Sequence, residues 1–168
     1  MSLLLDFAQV LYDSPIGTDI RESQFLYPLI EAAHLLGLAV SSGLIVLTDL
    51  RLLGLFMKDV PVADILHQLR YWVIGGFIST FVSGGFLFWA EAATIIENPA
   101  FIVKILFVVL GCANALWFEF KWGRSVTQWG EQKALPTAVK YAGLASLTLW
   151  TIVIISSRFI PYLSQNQI

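Results

Sequence analysis

Three ionisable residues, Glu31, His34 and Lys104, fall inside long apolar runs of this chain. An ionisable group placed within a bilayer is costly, and it marks either a functional site or a specific pairing. Glu31 and His34 are three positions apart and share one face of a helix. At a rise of about 1.5 Å per residue, His34 lies roughly 12 Å below the outer membrane surface, and Lys104, early in a later run, lies a little shallower. Neutral imidazole suits haem iron or a metal ion, and a carboxylate or carbonyl beside it fixes its tautomer. His34 is therefore the candidate ligand of a haem b or, in its place, of copper. Two other readings stay open. Glu31 can pair with Lys104 while His34 bonds a carbonyl, so that the trio only staples two helices, or Glu31 and His34 can relay a proton or ion as intramembrane groups of permeases do.

The depth of His34 coincides on the other spans with Ser83 or Gly84, with residues 104–108, and with Thr151 or Ile152, none of them a good second axial ligand. A two-fold axis along the membrane normal would bring a second His34 to the same depth, so a haem shared across a homodimer is an expected arrangement. Gly84 would let the porphyrin approach, and Lys104 or Arg158 could pair with its propionates. His67 lies at the opposite end of its span, offset from His34 by roughly 20 Å, and with Asp64 and Arg70 it reads as a solvated, salt-bridged face. Asn114 and Glu119 are read as bonding across helices. No Cys-x-x-Cys, His-Glu-x-x-His, Gly-x-Ser-x-Gly or phosphate-cradling loop is present, and the two methionines are Met1 and Met57. A hydrolase or nucleotide enzyme is thus not expected, nor a methionine-lined copper path. Cys112, the single cysteine, sits in an apolar run and reads as packing.

The elements that must position these residues follow from composition. Of 168 residues, 57% are apolar and only 13% charged, with a mean hydropathy of +0.75, whereas a soluble domain carries roughly 25% charged residues. The chain is expected to be all-α, a single four-span transmembrane domain over 1–168. Its spans are expected near 25–47, 71–93, 100–118 and 137–159, each close to the roughly 20 residues a bilayer needs. Gly54 should stop the first span and Pro161 close the last. Leu3, Leu4, Phe7, Val10 and Leu11 recur at helical spacing, which predicts an interfacial amphipathic helix over about 2–12. Small residues at four-residue spacing, Gly75, Ser79 and Ser83 beside Gly76, Thr80 and Gly84, predict close helix approach.

A net charge of −2 gives no footprint for nucleic acid. Lys and Arg gather between spans one and two (Arg51, Lys58, Arg70) and between three and four (Lys121, Arg124, Lys133), and are absent between two and three. By the positive-inside rule both termini face outward, the periplasm of a bacterial inner membrane, with Trp72, Trp89, Trp122, Trp129 and Tyr27 as interface anchors.

The segments Ile20-Arg21-Glu22-Ser23, Tyr27-Pro28-Leu29-Ile30-Glu31, His34-Leu35-Leu36-Gly37 and Asp49-Leu50-Arg51-Leu52-Leu53-Gly54, with Asn98-Pro99-Ala100-Phe101, Lys104 and Asn114, resemble a little-characterised family of small bacterial four-span membrane proteins. The histidine of span one and the lysine of span three are also similar to those of copper-resistance membrane proteins of the D type, which implies metal handling. Where that pattern has a histidine near the end of span three, this chain has Phe118-Glu119, so the resemblance leaves His34 as the main ligand. The expected function is an inner-membrane haem b or metal protein, an electron carrier rather than an enzyme. A cofactor-free subunit of a larger membrane complex and a small metal or ion permease are the alternatives.

Overall fold

The computed structural model describes residues 3–130 and 135–164; Lys133, counted above for orientation, lies outside them. It contains α1 (Leu3–Tyr12), α2 (Pro15–Glu22), α3 (Leu26–Leu52), α4 (Val62–Ile95), α5 (Pro99–Lys121), a short 3₁₀ turn (Gly123–Ser125), α6 (Val126–Trp129) and α7 (Thr137–Ser164). Four of these, α3, α4, α5 and α7, are long and apolar enough to cross a membrane, so the chain is a multi-pass membrane protein built as an all-α four-helix bundle. Most large apolar side chains on them are exposed and face lipid.

All four helices outrun the apolar stretches that announce them. Hydropathy reports the part inside hydrocarbon, while a helix runs on until its backbone is stopped. For α3 the stop is Gly54, whose φ of +72° suits glycine alone among common residues, and whose N–H donates to the Arg51 carbonyl. Asp49 and Arg51 thereby fall inside the helix and are buried. The 34 residues of α4 make a rod of about 51 Å, well beyond hydrocarbon thickness, and its regularity breaks once, at Glu91 (φ −116°, ψ 15°). Pro161 does not close α7, which continues to Ser164. Asn98 explains why: its Nδ2 donates to the Ile160 carbonyl at 2.9 Å and to the Ser164 hydroxyl at 2.8 Å, holding the last turn on both sides of the proline. Its Oδ1 meanwhile caps α5 at Ala100 and Phe101.

The expected surface helix is α1, with Leu3, Leu4, Phe7 and Val10 exposed and Ala8 buried. Together with α2 it clamps α4 beside the Glu91 break. Arg21 donates to the Ala90 carbonyl at 2.8 Å and the Tyr12 carbonyl at 3.1 Å and lies 3.7 Å over the Tyr12 ring, while Trp89 donates to the Ser14 hydroxyl. We call this the terminal end. At the other, loop end, Trp129 and Val126 pack with Leu52, Val62 and Val139 in a small apolar cluster. Trp122 and Trp129 meet edge to face there. They are parts of this cap, because α6 folds back under the start of α4, where the Val62 N–H reaches the Gly130 carbonyl.

The bundle is two antiparallel pairs, α3 with α4 and α5 with α7, joined chiefly where α3 meets α7. The first pair is the closest-packed. Gly37 and Gly76 oppose each other so tightly that a Cβ on Gly76 would stand 2.8 Å from the Ser41 nitrogen and 3.0 Å from the Gly37 carbonyl. Gly75, one residue earlier, has nothing within 4 Å. Gly76→Ala should therefore cost about 1–3 kcal/mol by prising α3 from α4, whereas Gly75→Ala should be neutral or stabilise by up to about 1 kcal/mol through helix propensity. Reversible denaturation of both variants in one detergent checks the contrast; equal midpoints would refute this account of the interface.

Candidate functional site

Where the two helix pairs face each other, they enclose two cavities in line along the bundle. The terminal-end cavity, about 480 Å³, is lined by His34, Thr80, Gly84, Phe101, Lys104 and Ser157 among others. The loop-end cavity, about 410 Å³, is lined by Asp49, Arg70, Asn114, Glu119 and Ser146 with apolar neighbours. Phe77 and Trp150 line both, and their rings, 5.1 Å apart and tilted by 44°, form the partition. Trp150 fits because Gly111 faces it: a Cβ there would lie 3.2 Å from the indole. Consecutive helices α4 and α5 are not packed along their length. They meet through the Phe88–Phe101 stack at the terminal end and the Arg70–Glu119 pair at the loop end, with the cavities between.

His34 is set by α4. Its Nδ1 lies 2.9 Å from the Thr80 carbonyl and 3.2 Å from the Ser83 hydroxyl oxygen. The Ser83 hydrogen is already donated to the Ser79 carbonyl, and a carbonyl only accepts, so Nδ1 must carry the proton. Nε2 is then the nitrogen left with a lone pair. Gly84 permits this seat, since a Cβ would stand 3.0 Å from the imidazole Cε1 and 3.3 Å from Nδ1.

Of the residues singled out in the sequence, the structure brings His34, Gly84 and Lys104 to one cavity. Glu31 is exposed on α3 and does not line it. The pairing of Glu31 with Lys104 is not made: among the described residues the only ion pair is Arg70–Glu119, at 2.7 Å. Helix rotation accounts for this, since Glu31 is exposed on α3 while Lys104 lines the cavity. Arg158 is exposed and bonds Tyr162 one turn along its own helix, outside the cavity lining. His67 and Asp64 are exposed, and Arg70 reaches across to α5 rather than along its own face. Asn114 bonds across helices as expected, donating to the Ala142 carbonyl at 3.2 Å.

The two cavities differ in charge. Among the described residues, Lys104 is the one formally charged residue lining the terminal-end cavity, a formal +1. The loop-end cavity has Arg70 against the two carboxylates Asp49 and Glu119, a formal −1. Sequence reasoning missed Asp49, which stood at the end of an apolar run and read as a span boundary, and missed the Phe77–Trp150 partition, for which Gly111 opposite Trp150 was the one available sign. Thr80 and Ser83 were read only as small packing residues, although their polarity fits the task of orienting an imidazole.

Residues 23–163 match the family described as Family of unknown function (DUF6644). The match covers most of the chain, which belongs to that family. No curated protein and no solved structure matches.

The hydrogen bonds of His34 place a proton on Nδ1, so that the neutral ring has Nε2 bare. Nitrogen NMR of protein labelled at histidine should show one ring with Nδ1 protonated and Nε2 bare, and Gly84→Ala should perturb that ring while leaving the exposed His67 signal in place. A ring protonated on Nε2 would contradict the arrangement.

Proposed function

We propose that this member of the DUF6644 family is a membrane haem b protein of the bacterial inner membrane, passing electrons, with His34 as the axial ligand within the terminal-end cavity. One observation carries the reading. The Nδ1 of His34 is committed to the Thr80 carbonyl, and the ring lines a cavity with Nε2 free. Metal-bound imidazoles almost always show this arrangement, in which the other ring nitrogen donates to a carbonyl or carboxylate.

The residues present fit such a group. A cavity of about 480 Å³ lies within the roughly 300–1,000 Å³ typical of ligand sites. Gly84 and Gly85 present no side chain to it, and Phe81, Phe88 and Phe101 offer apolar walls. Lys104 has no hydrogen-bonding or ion-pairing partner among the described residues and is of the sign to hold a propionate. When bound, haem supplies one-electron redox chemistry. The chain's part is to orient the imidazole through Thr80 and Ser83, keep Nε2 bare, neutralise an acidic group with Lys104 and exclude water. Copper alone is served less well, since among the described residues no three His, Cys, Asp or Glu side chains converge.

His34 faces the interior of its own bundle, which favours one cofactor per chain over a haem shared between two copies; a homodimer would carry two such sites. The Lys and Arg bias supports placing the terminal end, and both termini with it, in the periplasm. The two in-line cavities favour one other reading, a small ion permease in which Phe77 and Trp150 form the barrier.

Protein purified from haem-supplemented cells should show a Soret band and a reduced-minus-oxidised difference spectrum. His34→Ala should abolish both, Lys104→Ala should keep the band with haem lost more readily, and His67→Ala should change nothing. A wild-type chain that stays colourless after reconstitution would overturn the haem reading and leave the cofactor-free subunit in its place.

A further inference from the structure

The loop-end cavity holds an unexplained buried group. Asp49 is 5% exposed, and its Oδ2 is buried with no hydrogen-bond partner among the described residues. The Ser146 hydroxyl on α7 is the hydrogen-bonding neighbour of the same carboxyl group. Among the described residues no cation pairs with it: Arg70, the cation lining the same cavity, gives its Nη2 to both oxygens of Glu119 at 2.7 and 2.9 Å. With that pair neutral, Asp49 is the one acidic group lining the cavity that has no cation among the described residues.

A buried carboxyl either holds a proton or, to carry its charge, takes a positive partner that also donates hydrogen bonds. The remaining walls say what form that partner takes. The lining is predominantly apolar, with the ring pair of Phe77 and Trp150 at its upper end, and aromatic faces attract cations. Asn114 spends its Nδ2 on the Ala142 carbonyl, which leaves its Oδ1 as a second acceptor. Acceptors, a buried carboxyl without a cation among the described residues and aromatic faces in a space of about 410 Å³ exceed what a bare metal ion would use. We infer that the loop-end cavity binds a small lipophilic ammonium compound, its N–H groups on Asp49 and Asn114 and its apolar body against Phe77 and Trp150. Since α4 and α5 are not packed along their length, such a ligand can enter from the bilayer, where lipophilic amines concentrate. This site does not depend on the haem reading, because it shares neither His34 nor Lys104.

Isothermal titration of the full chain in a non-ionic detergent, with 4-phenylbutylammonium and the neutral 4-phenylbutanol as probes, tests the inference. Saturable binding of the ammonium, at least about tenfold tighter than the alcohol, is expected from the combined charge-assisted hydrogen bond and cation–π attraction. Asp49→Asn should remove that preference, Asp49→Glu should retain it in part, and His34→Ala should leave it intact even where the Soret band is lost. Equal uptake of both probes by the wild type would mean partition into an apolar space alone and would overturn the proposal, whether or not any variant folds. So would an ammonium preference that survives in a folded Asp49→Asn protein, or one that disappears with His34→Ala or Lys104→Ala, which would move the ligand to the other cavity.

Discussion

In a bilayer, apolar side chains gain little by leaving lipid for protein, so helices associate where backbones can come close and where polar groups find partners. The contact of α3 with α4 satisfies both conditions, and the rest of the bundle is arranged around it. Gly37 sits against Gly76 and Thr80, and Gly76 against Ser41, while Ser79 donates to the Ala33 carbonyl across the same interface. This closeness brings His34 within reach of a backbone carbonyl on the neighbouring helix, which a thicker interface would forbid. A side chain selected for small size at Gly84 thus becomes a condition for orienting an imidazole.

The second helix pair is held differently. Asn98 fastens the start of α5 to the end of α7, and Asn114 reaches the α7 backbone near its other end. Between the two pairs, α4 and α5 touch through an aromatic stack at one end and a salt bridge at the other. Tight packing within pairs and loose packing between them produces interior space, and the Phe77–Trp150 contact divides it. The charges then segregate: Lys104 on one side of the partition, the carboxylate of Asp49 on the other. That polarity follows the bundle axis, so an asymmetric membrane would present each cavity to a different chemistry.

Much of this was legible in the residues. The four spans, the surface helix, the stop at Gly54 and the close approach along Gly76, Thr80 and Gly84 all rest on local rules, since hydropathy, helical period and glycine's conformational range act within a few residues. The common depth of His34, Gly84 and Lys104 was also legible, because a constant rise per residue converts sequence position into height. Rotation about the helix axis was not. Glu31 and Lys104 have compatible heights and opposite charges, yet they do not pair, while Arg70, read as part of a face shared with Asp64 and His67, turns to Glu119 on another helix. Likewise, the packing of Trp122 and Trp129 in one cap was not legible, because it depends on the fold-back of α6.

The sequence by itself determined that this is a four-span membrane protein, which end of each helix carries the positive charges, and which few ionisable groups must lie at depth. These are one-dimensional facts, set by how many consecutive residues tolerate hydrocarbon. Only the tertiary structure decided which nitrogen of His34 faces the Thr80 carbonyl, that one oxygen of Asp49 lies buried without a partner among the described residues, and that Lys104 and Asp49 line two cavities on either side of an aromatic pair. Those features depend on the azimuth of each helix and on the distance between axes, and both are fixed by contacts among residues far apart in the chain.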